Sequence, residues 1–128
     1  MRKLTSTFIA VLLTLGFATP AESSSSNWDV YQKTLATYSG SNTALSSLQK
    51  SQIRATLEKT PQAEKFICTG IRYYDQPMSV NIMVRKRAKE ACAYAKQLRP
   101  ELSTWFQNKP TKARSYAGKV LLTVKSPL

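Results

Sequence analysis

The stretch KFICTGIRYYDQPMSVNIMVRKRAKEACAYAKQL, residues 65–98, decides the fold. An extended chain over Lys65–Ile71 places Phe66, Cys68 and Gly70 on one face and Ile67, Thr69 and Ile71 on the other, which predicts a β-strand. After a loop over Arg72–Pro77, apolar side chains recur at three- and four-residue steps and predict a helix over Ser79–Leu98. The recurring residues are Val84, Ala88, Ala91, Cys92, Ala95 and Leu98. Because most of them are small, we expect this helix to lie close to a sheet.

The pattern continues in both directions from this strand and helix. Ser46 and Gln49 have the spacing of a capping box, so we expect a helix that starts there and ends before Pro61. Strands are also predicted over Trp28–Tyr38, Leu102–Gln107 and Lys119–Lys125, and a polar turn region over Asn108–Gly118. The predicted order is β-α-β-α-β-β, an α+β fold with two helices packed on one face of a mixed sheet.

The first residues have the pattern of a cleavable signal peptide. Two basic residues precede a short apolar run over Phe8–Phe17, and small residues follow it. The run is shorter than the about 20 residues that span a bilayer, so no transmembrane segment is expected in the mature chain. We predict a signal peptide over residues 1–21, a flexible Ser-rich leader over residues 22–27 and a single domain over residues 28–128. The alternative is an amphipathic or buried N-terminal helix of the folded domain.

The charge of the chain is strongly positive. It has 19 Lys and Arg against 7 Asp and Glu, and removal of Arg2 and Lys3 with the signal peptide lowers the formal net charge from +12 to +10. Such an excess favours anionic partners such as cell-wall polymers, phospholipid headgroups or acidic glycans. Export makes nucleic acid an unsuitable partner. The alternative is that the charge serves only solubility.

The residues that usually carry catalysis are scarce. The chain has no histidine, the commonest general base and metal ligand. Its carboxylates are scattered without pairing or metal-ligand spacing, and its four glycines form no phosphate-binding loop. We therefore expect no enzyme, no metal and no cofactor.

Two cysteines, Cys68 and Cys92, lie in the predicted strand and the predicted helix. A helix that returns across the face of the preceding strand places the apolar side of the strand, with Cys68, against the apolar side of the helix, with Cys92. In an exported protein such a pair predicts a disulfide, and two buried free thiols are the alternative.

Three segments of the chain match a family pattern. Phe66–Gly70 forms the strand, Arg87-Ala88 matches the last pair of a helix motif Leu-Ser-x-x-Arg-Ala, and Lys119-Val120 is similar to a final Arg-Val strand. With them the chain resembles the peptidoglycan-associating C-terminal domain of the OmpA-like family. The resemblance implies that fold, with a hairpin formed by the last two strands, and non-covalent association with peptidoglycan in the cell envelope.

The resemblance also implies a ligand site. Family members hold the diaminopimelate of the wall peptide with an Asp before the helix and with the motif Arg. Arg87 is in register with that Arg, whereas Arg72 stands in the position of the Asp, with Tyr73 next to it, and Asp75 is the nearest carboxylate. Together with Lys119, these residues form the predicted ligand-binding set.

Further candidates come from the pattern of exposed residues. Arg85, Lys86, Lys89 and Lys96 share one side of the predicted helix, which we interpret as a solvated face. Tyr73 and Tyr74 suit the stacking of a sugar or peptide, although packing against the helix edge is the alternative. Trp105 and Phe106 alternate in a strand, so one of them belongs to the core and the other covers the open face of the sheet.

These observations favour a secreted or periplasmic module that binds peptidoglycan or another anionic wall component. The replaced Asp favours the alternative, a structural or protein-interaction module that has lost wall binding and docks another envelope protein through its open sheet face. A cationic inhibitor or antimicrobial protein fits the charge, but no motif supports it.

Overall fold

The computed structural model describes residues 27–128. The predicted signal peptide over residues 1–21 and nearly all of the predicted leader lie outside the described residues. Val30–Pro127 form one compact unit. The domain boundaries therefore stay predictions.

The described chain contains the predicted sequence of strands and helices, so the order β-α-β-α-β-β is confirmed. The strands are β1 (Trp28–Thr34), β2 (Lys65–Tyr73), β3 (Ser103–Thr111) and β4 (Val120–Pro127). The helices are α1 (Ser47–Lys59) and α2 (Met78–Leu98), and a 3-10 turn spans Arg114–Tyr116.

The four strands form one mixed sheet in the order β1-β4-β2-β3. β2 runs parallel to β3, with Cys68 opposite Phe106, and antiparallel to β4, with Cys68 opposite Leu122. The expected hairpin of the last two strands is therefore wrong, because β3 and β4 lie on opposite sides of β2. The connection through α2 is a β-α-β crossover, which places β3 parallel to β2.

Both helices contribute to a core on one face of the sheet. Ile53 and Leu57 from α1 are buried together with Ala88, Ala91 and Ala95 from α2. The sheet supplies Phe66, Cys68, Val120, Leu122 and Val124 to the same cluster. The predicted α+β class, with two helices over a mixed sheet, is confirmed.

Polar contacts fix both ends of α1. Its capping box is present as predicted, since Gln49 N donates to Ser46 Oγ at 3.1 Å and Ser46 N donates to Gln49 Oε1 at 2.9 Å. At the other end, Arg99 donates from Nη2 to Leu57 O at 2.9 Å and from Nη1 to Thr60 O at 3.0 Å. Each carbonyl also accepts a backbone hydrogen bond, Leu57 O from Thr60 N at 3.2 Å and Thr60 O from Ala63 N at 3.1 Å. The guanidinium from the end of α2 therefore adds a second donor to both and joins the two helices.

The close packing of α2 on β2 depends on Gly70. A Cβ added there would lie 2.0 Å from Val84 O and 2.5 Å from the carbonyl carbon of Val84. Both atoms belong to the backbone of α2 and cannot rotate away. Only glycine permits this approach between strand and helix.

Several boundaries differ from the predictions. β1 ends at Thr34 instead of Tyr38, and β2 extends through Arg72 and Tyr73, which had been expected in the loop. β3 continues through Pro110 to Thr111, where a polar turn was expected, because a proline is tolerated in a strand at the edge of a sheet. Leu98, expected in the core, is 42% exposed at the last turn of α2.

We predict that Gly70→Ala lowers the free energy of unfolding by about 3 kcal/mol, the upper range for overpacked sites, because Val84 cannot yield. Gly40→Ala is the control, since Gly40 has a φ of +51° but nothing within 4 Å of an added Cβ. That change is expected to lower the free energy of unfolding by only about 1 kcal/mol, because a residue with a Cβ is strained in the left-handed backbone conformation. Urea denaturation measures both, and equal losses would contradict a tight contact at Gly70.

Candidate functional site

The predicted ligand-binding residues lie near one end of the sheet. Ile71, in the last part of β2, is hydrogen-bonded to the chain just before β4: Ile71 N donates to Lys119 O at 2.9 Å, and Gly118 N donates to Ile71 O at 2.6 Å. Arg72, Tyr73 and Asp75 follow Ile71 directly. The fold thus brings together residues that are almost 50 positions apart in the sequence.

Arg87 is buried below this end of the sheet. Its side chain is 2% exposed, and its guanidinium binds three backbone carbonyls. Nε donates to Asn42 O at 2.7 Å, Nη2 to Gly40 O at 2.7 Å and Nη1 to Gly118 O at 2.8 Å. Arg87 therefore ties the β1–α1 loop and the start of β4 to α2.

The charge of Arg87 is balanced without a carboxylate. Its Cζ lies 4.5 Å from the ring centroid of Tyr38, a cation–π distance. Burial lowers the pKa of Arg87, and the nearby Tyr38 opposes that shift. Burial in turn raises the pKa of Tyr38 above its ordinary range, against the effect of Arg87, so its hydroxyl stays neutral. That hydroxyl is buried and has no hydrogen-bond partner among residues 27–128.

These contacts bear on the predicted ligand role of Arg87. Arg87 is the tenth residue of α2 and not part of its first turn, so the helix N-terminus does not lie beside its guanidinium. Three of its five N–H groups are used by these carbonyls, and the side chain is buried, which leaves little surface for an external carboxylate. The contacts indicate a structural function, and the ligand-binding function stays a prediction.

Arg72 organises the loop between β2 and α2. Its Nε donates to Asn81 Oδ1 at 3.2 Å, and its Nη1 donates to Tyr74 O at 2.9 Å. The loop is also closed by Gln76, whose Oε1 accepts from Tyr73 N at 2.8 Å. The guanidinium that stands in the place of the family's Asp is thus directed at its own loop.

Two tyrosines and two cations form an exposed group beside this loop. Arg114 Cζ lies 4.2 Å from the ring centroid of Tyr73, and Lys112 Nζ lies 5.7 Å from that of Tyr74. The two rings are 5.0 Å apart at an interplanar angle of 59°. Tyr73 is half-buried, and Tyr74 is 51% exposed. We call these four residues the Tyr–Arg cluster.

The two remaining predicted residues flank the loop and the start of β4. Asp75 is exposed and next in sequence to the Tyr–Arg cluster. Lys119 is half-buried beside Ile71. Arg114 and Lys112 were not predicted, because their segment had been assigned to a polar turn. The one sequence feature that could have indicated these two residues is the presence of two cations close to Tyr116 and the last strand.

Cys68 and Cys92 meet in the core as predicted. Their sulfur atoms are 2.7 Å apart, and the two residues are present as free thiols. Cys92 Sγ also lies 3.2 Å from Trp105 O. Burial and the contact with Cys92 raise the pKa of Cys68 well above the ordinary value for a thiol. The predicted disulfide is therefore sterically accessible but stays a prediction.

Other kinds of site are not found between residues 27 and 128. No group of His, Cys, Asp and Glu in this range could hold a metal ion. The helices described there are too short or too polar to cross a membrane.

As predicted, one of the two aromatic residues of β3 belongs to the core and the other does not. Phe106 packs against the core, while Trp105 is 64% exposed on the other face of the sheet.

We predict that Arg87→Lys lowers the free energy of unfolding by about 3 kcal/mol, because one ammonium cannot reach three divergent carbonyls and each charged hydrogen bond contributes about 1.5–3 kcal/mol. Lys89→Met, on the exposed side of the same helix, is expected to change it by less than about 0.5 kcal/mol. Denaturant titration compares the two variants. Similar small effects would show that Arg87 contributes little to the fold.

The fold itself is similar to that of a known bacterial domain. The OmpA-like domain of FopA1 from Francisella tularensis subsp. tularensis SCHU S4 superimposes with a TM-score of 0.56, over 80% of this chain and 76% of that one, at 15% sequence identity. No protein-family model and no curated protein matches the chain. The structural match confirms the predicted resemblance and the OmpA-like fold.

Proposed function

We propose that this chain is an exported, non-enzymatic module of the cell envelope that associates non-covalently with peptidoglycan. The observation that carries the proposal is the exposed Tyr–Arg cluster beside Asp75, at one end of an OmpA-like fold. The positive charge of the chain supports an anionic partner. Secretion or a periplasmic location is part of the same proposal and follows from the predicted signal peptide.

The chemistry of the cluster suits a wall fragment. Tyr73 and Tyr74 offer ring faces for the apolar side of a sugar. Arg114 presents a planar guanidinium that pairs with a peptide carboxylate through two hydrogen bonds, and Lys112 adds a second cation. Asp75 offers a carboxylate for the ammonium of the peptide stem. One ligand that carries sugar, carboxylate and ammonium groups would use all of them.

In our proposal Arg72 and Arg87 hold the loops that carry this site. Arg72 shapes the loop that carries Tyr74 and Asp75, and Arg87 holds Gly118, next to Lys119. Lys119 lies near enough to the end of β2 to add a further cation. Direct contact between Arg87 and the ligand is retained as a prediction that the same binding assay tests.

We predict that Arg114→Ala weakens co-sedimentation with purified sacculi about tenfold, because it removes a charged hydrogen-bond donor worth about 1.5–3 kcal/mol. Tyr73→Ala should have a similar effect, since it removes the ring on which Arg114 lies. Binding by the unaltered chain should fall, without vanishing, as the Debye length shrinks from about 10 Å at 0.1 M salt to about 3 Å at 1 M.

Arg54→Ala is the matched control. Arg54 is also an exposed arginine beside a tyrosine, with Nη1 2.6 Å from Tyr94 Oη, but it lies on α1. If Arg54→Ala and Arg114→Ala weaken sacculus binding equally, the binding depends on the net charge of the chain and not on the Tyr–Arg cluster. If Arg87→Lys folds but no longer binds sacculi, while Arg114→Ala still binds them, the ligand-binding site would lie at Arg87 instead.

A second candidate function rests on the open face of the sheet. Trp105 is 64% exposed there, opposite Ile67 in the register of β2 and β3. An exposed tryptophan on a sheet is typical of a surface that docks another protein. Failure of the unaltered chain to bind sacculi, together with crosslinking of an envelope protein that Trp105→Ala abolishes, would favour this function.

Export also leads us to propose a disulfide between Cys68 and Cys92. The two sulfurs are already 2.7 Å apart, so the bond requires only a small movement. It would join the centre of β2 to α2 and stabilise the fold by about 3 kcal/mol in the chain-entropy model. Two alkylatable thiols in the protein isolated from the envelope would overturn this proposal.

We predict that the reduced protein loses stability in alkali while the oxidised protein does not. The pKa of Cys68 is raised in the folded state, so the folded chain keeps a proton that the unfolded chain releases above about pH 8.5. The free energy of unfolding is therefore unaffected below that pH and falls above it, by up to about 1.4 kcal/mol per pH unit. Urea titrations from neutral pH to about pH 9.5, with and without reductant, measure the difference; identical profiles would contradict it.

A further inference from the structure

The outward side of α2 combines exposed apolar side chains with cations. Met78 is 68% exposed and Ile82 is 63% exposed. Lys86 follows them at the same four-residue step, and Arg85 and Lys89 lie beside this row. The five residues are all exposed and share one side of the helix, which we call the α2 outer face.

The α2 outer face continues onto the edge of the sheet. Arg85 Cζ lies 5.0 Å from the ring centroid of Phe106, so the guanidinium covers the half-buried ring. Ile82, Lys86, Lys89 and Phe106 line a shallow groove of about 410 Å³ with Arg85. Apolar side chains therefore occupy the first two turns of the helix, and cations occupy the next turns.

The cations of the α2 outer face form no ion pair within the part of the chain that the structure describes. Lys86 and Lys89 have no ion pair or hydrogen bond with any residue from 27 to 128. Glu90 is the single carboxylate at the border of the groove. Three cations against one carboxylate leave a positive surface, in a chain whose formal net charge is +12.

We infer that the α2 outer face binds the surface of a bilayer that contains anionic phospholipids. Met78 and Ile82 enter the boundary between headgroups and acyl chains, and the long side chains of Arg85, Lys86 and Lys89 reach the lipid phosphates. A convex helix surface with apolar residues at one end and cations along the rest matches a flat anionic surface. The inference does not depend on wall binding, because it uses none of the residues of the Tyr–Arg cluster.

Co-sedimentation with vesicles tests the inference on a protein of residues 22–128. This protein lacks the N-terminal apolar run, which would itself partition into lipid, and keeps the whole compact unit Val30–Pro127. We expect it to bind vesicles of mixed phosphatidylcholine and phosphatidylglycerol and not vesicles of phosphatidylcholine alone. The double change Lys86→Gln and Lys89→Gln should weaken binding about thirtyfold, since each cation near the surface contributes about fivefold.

Matched variants on α1 separate a specific face from net charge. Lys50→Gln with Lys59→Gln removes the same charge from exposed sites and should weaken binding less than about threefold. Ile82→Ser should weaken binding about tenfold, whereas Leu48→Ser, at a residue 59% exposed, should not.

Equal effects of the two lysine pairs, or no effect of Ile82→Ser, would overturn the inference, as would the absence of any binding to anionic vesicles. Retained binding to sacculi by Ile82→Ser and retained binding to vesicles by Arg114→Ala would show that the two surfaces act separately. Loss of both activities in either single variant would instead contradict separate surfaces.

Discussion

The contact between α2 and β2 is the constraint on which the rest of the structure depends. Gly70 lets the backbone of the helix at Val84 lie directly on the strand, and the small residues of the helix maintain that approach along its length. The same approach brings Cys68 and Cys92 together and buries Arg87 under the loops at the end of the sheet. A side chain at position 70 would disturb the core, the cysteine pair and the arginine at once.

The position of α2 also divides the molecule into surfaces with different chemistry. Its inner side belongs to the core, and the loop before it carries the Tyr–Arg cluster with Asp75. Its outer side carries exposed apolar residues and cations on the opposite face from the core. A wall polymer and a membrane surface would therefore meet different residues of one rigid helix and its adjoining loop.

The sequence predicted the fold class because its signals are local. Alternation marks β2 and β4, the small-residue face marks α2, and the Ser46–Gln49 pair marks the start of α1. The pairing of β4 with β2 could not be predicted in the same way, since it depends on which strands α2 and its crossover bring together. The hairpin that the family resemblance implied does not form, because the crossover through α2 leaves β3 and β4 on opposite sides of β2.

The site was harder to predict than the fold. The partners of Arg87 are backbone carbonyls of Gly40, Asn42 and Gly118, which have no side-chain signature in a sequence, so its burial could not be read from residue types. Arg114 reaches Tyr73 only because a 3-10 turn follows a strand that extends beyond its expected end. Register with a family motif selected residues that the fold places near one end of the sheet, but it did not indicate which cations are exposed.

Arg87 in α2 and Arg99 at its C-terminus are held by peptide groups instead of acids. Arg87 binds three carbonyls, and Arg99 binds the carbonyls of Leu57 and Thr60. Every carboxylate side chain among residues 27–128 is exposed. Carbonyl oxygens do not take up protons at the pH values that neutralise Asp and Glu, so acidification removes neither arginine's partners. We therefore expect the contacts of Arg87 and Arg99, which join the helices and loops of this domain, to persist in acid, where buried carboxylate–guanidinium pairs would be lost.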